Sequence, residues 1–315
     1  MMNAAALPTF FDVLSARLAE CNQEVRRVFH GRGRCYEGLE QLTADWLGKG
    51  VLQIAIFKES DSEFYAALQE GISALVASDV WTKCQGTTVI LQHRDREGSE
   101  TETLVGEMPN QIEVVENGLN YKLDLGKRQN NGLFLDMRLG RQWVQENAAG
   151  KRVLNLFAYT CGFSVAAIEG GAEKVVNLDM AKSSLSRGRE NHHLNQHDLS
   201  KVSFLGHELF KSWGKVKKFG PYDLVIIDPP SFQKGSFVLT KDYAKILRRL
   251  PELVADGGDV LACVNAPDVK PEFLTEQMAE LAPEFALVSR LTNPPEFEDI
   301  DTDSALKVMH FKHRS

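Results

Sequence analysis

Cysteine is scarce in this chain: Cys21, Cys35, Cys84, Cys161 and Cys263 are spread over 315 residues. An odd number without paired spacing excludes a disulfide framework and a cysteine-rich zinc site, and leaves reduced, structural thiols. Long apolar runs are missing too. Val51 to Phe57 and Leu224 to Ile227 are among the longest, far short of the roughly 20 residues that span a bilayer. The N-terminus has no basic segment followed by an apolar core. These absences predict a globular cytoplasmic protein without metal or membrane partner. Positive charge is also lacking. A net charge of -7 excludes a protein basic all over that coats nucleic acid nonspecifically. Repeats and low-complexity stretches are absent.

What is present is concentrated between Val153 and Asp179. Val153 to Phe157 reads as a buried strand, Ala158 to Gly162 as a turn, Phe163 to Glu169 as the start of a helix, and Lys174 to Leu178 as a second strand ending on Asp179. Such a unit binds an adenosine-containing cofactor, the terminal acid accepting hydrogen bonds from ribose hydroxyls. The turn has one glycine, Gly162, and no phosphate-cradling series. The cofactor is therefore expected to be a nucleoside without pyrophosphate, and S-adenosylmethionine fits.

A length of 315 residues with 43% apolar content suggests two domains. Residues 1–125 read as a small α+β domain. Its elements are a helix over Phe10 to Val28, extended segments near Cys35 to Tyr36 and at Val51 to Phe57, a helix over Glu63 to Ala77, a strand over Thr88 to His93, and a hairpin turning at Asn117-Gly118. Residues 126–315 read as an α/β domain. Strand candidates at 153–157, 174–178, 202–205, 223–227 and 259–264 alternate with helices, the pattern of a Rossmann-like, doubly wound parallel sheet. Phe285 to Leu291 and Ala305 to Phe311 have no helix between them and predict a closing antiparallel hairpin, a feature of methyltransferases and not of ordinary dinucleotide dehydrogenases.

Ligands of such sheets sit outside the carboxyl ends of the strands. Four segments meet there. The turn Phe157, Ala158, Tyr159, Thr160 and Gly162 would face the methionine part of the cofactor, with Asn155 on the strand before it. Asp179 and Met180 would take the ribose, and Glu208-Leu209 the adenine. Asp228-Pro229-Pro230-Ser231-Phe232 completes the set: two prolines remove N–H donors and fix the backbone, so oxygens around Asp228 accept hydrogen bonds from a planar base on which Phe232 stacks. Arg26, Arg27, His30, Arg32 and Arg34 surround Gly31 and Gly33 in what reads as a mobile, donor-rich loop able to track phosphates, with Arg32 and Arg34 as substrate contacts. The lysine clusters near Lys215 and Lys245 read as solvated faces, and His192 and His193 as surface residues.

Gly132 to Arg138, Asn155 to Gly162 and Asp228 to Phe232 together resemble successive motifs of class I S-adenosylmethionine-dependent methyltransferases of bacterial 23S ribosomal RNA, in the branch holding the cytosine-C5 enzymes and the guanine-N7 domain of a fused enzyme. The resemblance implies RNA as partner, 23S rRNA or an assembling large subunit, and places Phe134, Asp136 and Arg138 at the methionine end of the cofactor pocket. Two departures matter. The cytosine-C5 members carry a nucleophilic cysteine just after the fifth strand, because C5 becomes nucleophilic only after covalent attack at C6; Asn265 stands there, with Cys263 two residues earlier. Met1 to Val28 also leaves no room for the N-terminal RNA-binding β-barrel of many relatives. Asn293-Pro294-Pro295-Glu296-Phe297 reads as a rigid loop beside the substrate mouth. The resulting expectation is noncovalent methyl transfer to a ring nitrogen of an RNA base, guanine preferred, with Asn265 contacting the base. The alternatives are cytosine-C5 transfer through Cys263, a fold that binds RNA or assists ribosome assembly without catalysis, and a methyltransferase for a small molecule or protein.

Overall fold

A computed structural model describes residues 2–96, 98, 100–126, 129–233 and 236–314. Two compact units emerge, Met1–Leu135 with Pro294–Asp301, and Asp136–Asn293 with Thr302–Ser315.

In the first unit, α1 (Leu7–Ala19) leads into β1 (Arg26–His30), β2 (Leu42–Trp46) and β3 (Val51–Ile56); α2 (Ser62–Val76) and α3 (Asp79–Lys83) then precede β4 (Thr88–His93), β5 (Thr101–Val105) and the ribbon β6 (Gln111–Glu116) and β7 (Leu119–Asp124). Strands β1 to β5 form one sheet in chain order, antiparallel except for the β3/β4 pair, which the helices α2 and α3 connect. Period-two burial builds its core: Leu52, Ile54 and Ile56 of β3 and Leu42, Ala44 and Trp46 of β2 join Phe10, Leu14 and Leu18 of α1. The predicted helix over Phe10 to Val28 ends early, at Ala19. Val25 and Val28 keep the helical spacing but are buried at the start of a sheet. The Cys35–Tyr36 segment is irregular loop with a bend and not strand.

The second unit contains α4 (Arg138–Asn147), β8 (Arg152–Leu156), α5 (Gly162–Glu169), β9 (Lys174–Asp179), α6 (Lys182–Leu194), β10 (Val202–Gly206), α7 (Trp213–Lys217), β11 (Tyr222–Ile227), a short pair β12 (Phe232–Gln233) and β13 (Phe237–Val238), α8 (Leu239–Leu247), α9 (Leu250–Leu253), β14 (Val254–Val264), α10 (Glu272–Leu281), β15 (Phe285–Arg290) and β16 (Lys307–His313). The sheet order is β10-β9-β8-β11-β14-β16-β15. The first five are parallel, while β16 runs antiparallel to both β14 and β15. This is the expected doubly wound sheet with its closing hairpin. Apolar residues on alternate faces feed two cores: Leu154, Val225 and Ile227 pack toward α8, α9 and α10, and Val153, Leu224 and Ile226 toward α4 and α5. The order reverses between β8 and β11, so the carboxyl ends of these strands open at the switch point where such sheets bind ligands. No helix among the described residues is long and apolar enough to cross a membrane.

Candidate active site

The turn after β8 is shaped without the glycines that usually shape it. Phe157, Tyr159 and Cys161 have φ of 58°, 47° and 64°, a left-handed region that costs a non-glycine residue on the order of 1–2 kcal/mol. Three fixtures hold that strain. Asp179, at the end of β9, accepts the N–H of Tyr159 at 2.8 Å and that of Ala181 at 2.7 Å. Asn191 of α6 donates to the carbonyl of Thr160 at 3.0 Å. Gly188 lets α6 lie against the turn, since a Cβ there would sit 2.3 Å from the Cys161 sulfur. A glycine series is absent from the turn because α6 and Asp179 enforce the same backbone on other residues. Burial raises the Asp179 carboxyl, against the two N–H bonds that lower it.

Asn155 is not placed as its sequence position suggested. Its side chain is buried between the sheet and α5 and donates to Asn177, which donates to Ser164; Ser164 meets His192 Nε2 at 2.9 Å, His192 meets His197 at 3.0 Å, and His197 meets Glu169. His192, expected at the surface, is fully buried. Burial and then the neighbouring His197 push its pKa down to about 3. A neutral His192 accepts from the Ser164 hydroxyl and donates to His197, so every bond from Asn155 to Glu169 points the same way. The chain is a core device that ties β8, β9, α5 and α6 together beneath the turn.

Glu208 accepts the N–H of Phe210 at 2.7 Å as a helix cap. Leu209 is buried in the main core, whereas Met180 is exposed. After β11, Asp228 and Pro229 lie at the carboxyl edge, Pro230 is exposed and Phe232 is 66% exposed, free to stack. Phe237, at the far side of the β12/β13 pair, meets Phe157 with ring centroids 5.0 Å apart, fixing this segment to the β8 turn. Tyr243 of α8 donates toward the carbonyls of Ile227 and Cys263, so the last turns of β11 and β14 are satisfied from below. Burial first, then the neighbouring Asp136, pushes the Asp228 carboxyl up to about 7, with Arg141 acting the other way.

Asn265, exposed after β14, donates from Nδ2 to Asp136 at 3.1 Å, and its carbonyl accepts from Ser231 at 2.7 Å. Lys307, which carries no motif in the sequence, is fully buried on β16 and donates to the carbonyls of Ala266 and Asp303. Arg138 is half-buried at the start of α4. Cys263 is fully buried, and desolvation followed by Asp228 and Asp136 pushes its thiol well above the usual range. Such a sulfur is a poor nucleophile.

Phe134 is exposed near the end of the first unit. The arginine segment there is not a mobile loop. Gly31 and Gly33 are buried against the carbonyls of Leu39 and Glu298, with no room for a Cβ. Arg27 pairs with Asp45, Arg34 with Asp299, and Arg32 bonds Gln41 and lies over Phe57 at 4.8 Å. Phe297 of the Asn-Pro-Pro loop packs under Arg27 and beside His30, so its ring is occupied in the fold of that unit. In the lysine clusters, Lys211, Lys217 and Lys245 each face an acid. Among the described residues no cluster of His, Cys, Asp or Glu could hold a metal ion.

A strand order reversing at β8, a strained turn after it and carboxylates ending β9 and β11 define a methyltransferase-type sheet. Residues 26–312 match the family of S-adenosylmethionine-dependent methyltransferases, and the chain belongs to that family. It is 36% identical over 175 residues to ribosomal RNA large subunit methyltransferase I of Aeromonas salmonicida, covering 53% of this chain and 44% of that protein. It is 31% identical over 219 residues to ribosomal RNA large subunit methyltransferase K/L of a Shewanella species, covering 67% and 30%. The chain thus spans less than half the length of these relatives. A structure from Streptococcus mutans described as a SAM-dependent methyltransferase superposes with a TM-score of 0.82 at 26% identity, covering 99% of this chain and 82% of that one.

Proposed function

We propose that this chain methylates a base of RNA, in 23S ribosomal RNA, by direct transfer to a ring nitrogen, guanine being the preferred base. The cofactor's chemistry fits the donor set. Tyr159, Thr160 and Cys161 bring no cationic side chain to neutralise a pyrophosphate, while Asp179 supplies an acceptor for ribose hydroxyls and Glu208 one for the adenine amino group. Arg138 and Asp136 complement the amino-acid end. When bound, S-adenosylmethionine supplies the methyl group as an electrophilic carbon on a sulfonium.

The residues of the chain have two tasks: aligning a base and answering its change of charge. A ring nitrogen attacking with its lone pair needs no base catalyst and leaves the purine positively charged. Asp228 and Asp136 put negative charge where that cation forms. Phe232 offers a stacking face. Acting on ribosomal RNA, the protein would work in the cytoplasm.

The observation that carries direct transfer is the pairing of Asn265 with Asp136 where a nucleophilic cysteine would stand, with Cys263 sealed in the core. Mass-spectrometric mapping of ribosomal RNA from cells with and without the gene tests the reading. One methylated nucleotide should vanish, and should return on incubation with protein and cofactor. An unchanged map, or loss of a 5-methylcytosine, refutes it.

A further inference from the structure

We propose that Asn265 is a specificity residue that reads an exocyclic amino group of the target base through its Oδ1, with Asp136 as the positioning residue that holds the amide in this orientation. The inference rests on the function proposed above and deepens it.

The geometry constrains which end of the amide is offered. A carboxylate only accepts hydrogen bonds, so the 3.1 Å contact assigns Nδ2 to Asp136. Oδ1 then points away from Asp136, and no donor among the described residues reaches it. The backbone beneath is equally fixed. Ser231, from the Asp-Pro-Pro segment, donates to the carbonyl of Asn265 at 2.7 Å, and buried Lys307 donates to that of Ala266 at 2.8 Å. Asp136 therefore holds the side chain while Ser231 and Lys307 hold the backbone it stands on, more fixation than a surface asparagine needs. Its neighbours are acceptors too: Asp136 is close enough to Asp228 to raise that carboxyl's proton affinity, and Pro229 and Pro230 contribute no N–H. Such a wall repels carbonyl edges and pairs with N–H donors. Guanine, adenine and cytosine carry an amino group; uracil has none.

The test uses the full chain and an RNA fragment containing the mapped nucleotide, made with that nucleotide or its deamino analogue (inosine for guanosine, purine riboside for adenosine, pyrimidin-2-one riboside for cytidine). Wild type should prefer the amino-bearing RNA by about tenfold in kcat/KM, the scale of one hydrogen bond left unmade. Asn265→Ala should bind S-adenosylmethionine as tightly as wild type and use both RNAs equally. Asp136→Asn, which lets the amide turn round, should lose much of the discrimination. A uridine target, equal use of both RNAs by wild type, or full discrimination in Asn265→Ala overturns the inference and leaves the proposed function standing. Failure of wild type to methylate any RNA overturns both.

Discussion

Replacing Asp228 by asparagine should stabilise the protein while impairing it, and the gain should depend on pH in a defined direction. The Asp228 carboxyl is raised from 3.8 to about 7, by burial first and by Asp136 second. A folded state that holds its proton more tightly than the unfolded chain loses stability as pH rises from the unfolded value near 4 to the folded value, and carries the full penalty above it. Tenfold in proton affinity is about 1.4 kcal/mol, so the penalty is about 4 kcal/mol at pH 8. Water at the outer face of this partly exposed residue trims it to roughly 3. Asparagine keeps the shape without the charge. Urea unfolding of both proteins, followed by tryptophan fluorescence between pH 4.5 and 8.5, should give nearly equal midpoints at the acid end, with Asp228→Asn pulling ahead by about 2–3 kcal/mol at the alkaline end. Methyl transfer by the variant should fall at every pH. A stability difference that stays flat with pH would mean Asp228 is ionised in the folded protein throughout, and would refute the reasoning.

Asp179→Ala removes the acceptor of the Tyr159 N–H as well as the expected ribose contact, so calorimetry should show S-adenosylmethionine affinity weakened at least about tenfold; unchanged affinity sinks the assignment. Cys263→Ala should retain most methyl transfer, and RNA containing 5-fluorocytosine should form no stable adduct with wild type, whereas a trapped complex lost in the variant would restore the covalent route. Asp259 is bonded by His310 and Lys151, with Lys312 also near; burial works to raise its carboxyl, but these partners together hold it well below the usual range. Asp259→Asn should therefore cost about 3 kcal/mol near neutral pH. The cost should fade as pH drops below about 4; a loss unaffected by acid would argue against the ionic contribution.

The second unit was legible because parallel strands buried on both faces leave unmistakable apolar runs between amphipathic helices, as Val153 to Leu156 and Leu224 to Ile227 show. Its closing hairpin could be read from two such runs without a helix between them. The first unit was harder. β2 alternates in Leu42, Ala44 and Trp46, but it is only five residues long and follows a glycine-rich turn. Val25 and Val28 continue the spacing of α1 although the helix has ended. Charge and polarity were least legible, because their partners are remote in sequence: Arg34 is neutralised by Asp299, and His192 is buried through Ser164 and His197.

The same remoteness explains why the strands alone do not define the chemistry. The Asp-Pro-Pro segment, the residue after β14 and the acid opening the second unit each stand out in sequence, but sequence does not show that they meet. What gives them meaning is that Ser231 bonds the carbonyl of Asn265 while Asp136 bonds its side chain and perturbs Asp228. A cysteine at position 265 would leave the Asp136 carboxylate without the Nδ2 donor that now faces it, and would itself be held protonated by two nearby negative charges. Under the proposed function, this acidic corner suits a substrate that becomes positive during transfer and opposes a thiolate. On the function proposed here, Asn265 is one part of a charge arrangement that favours direct transfer to nitrogen.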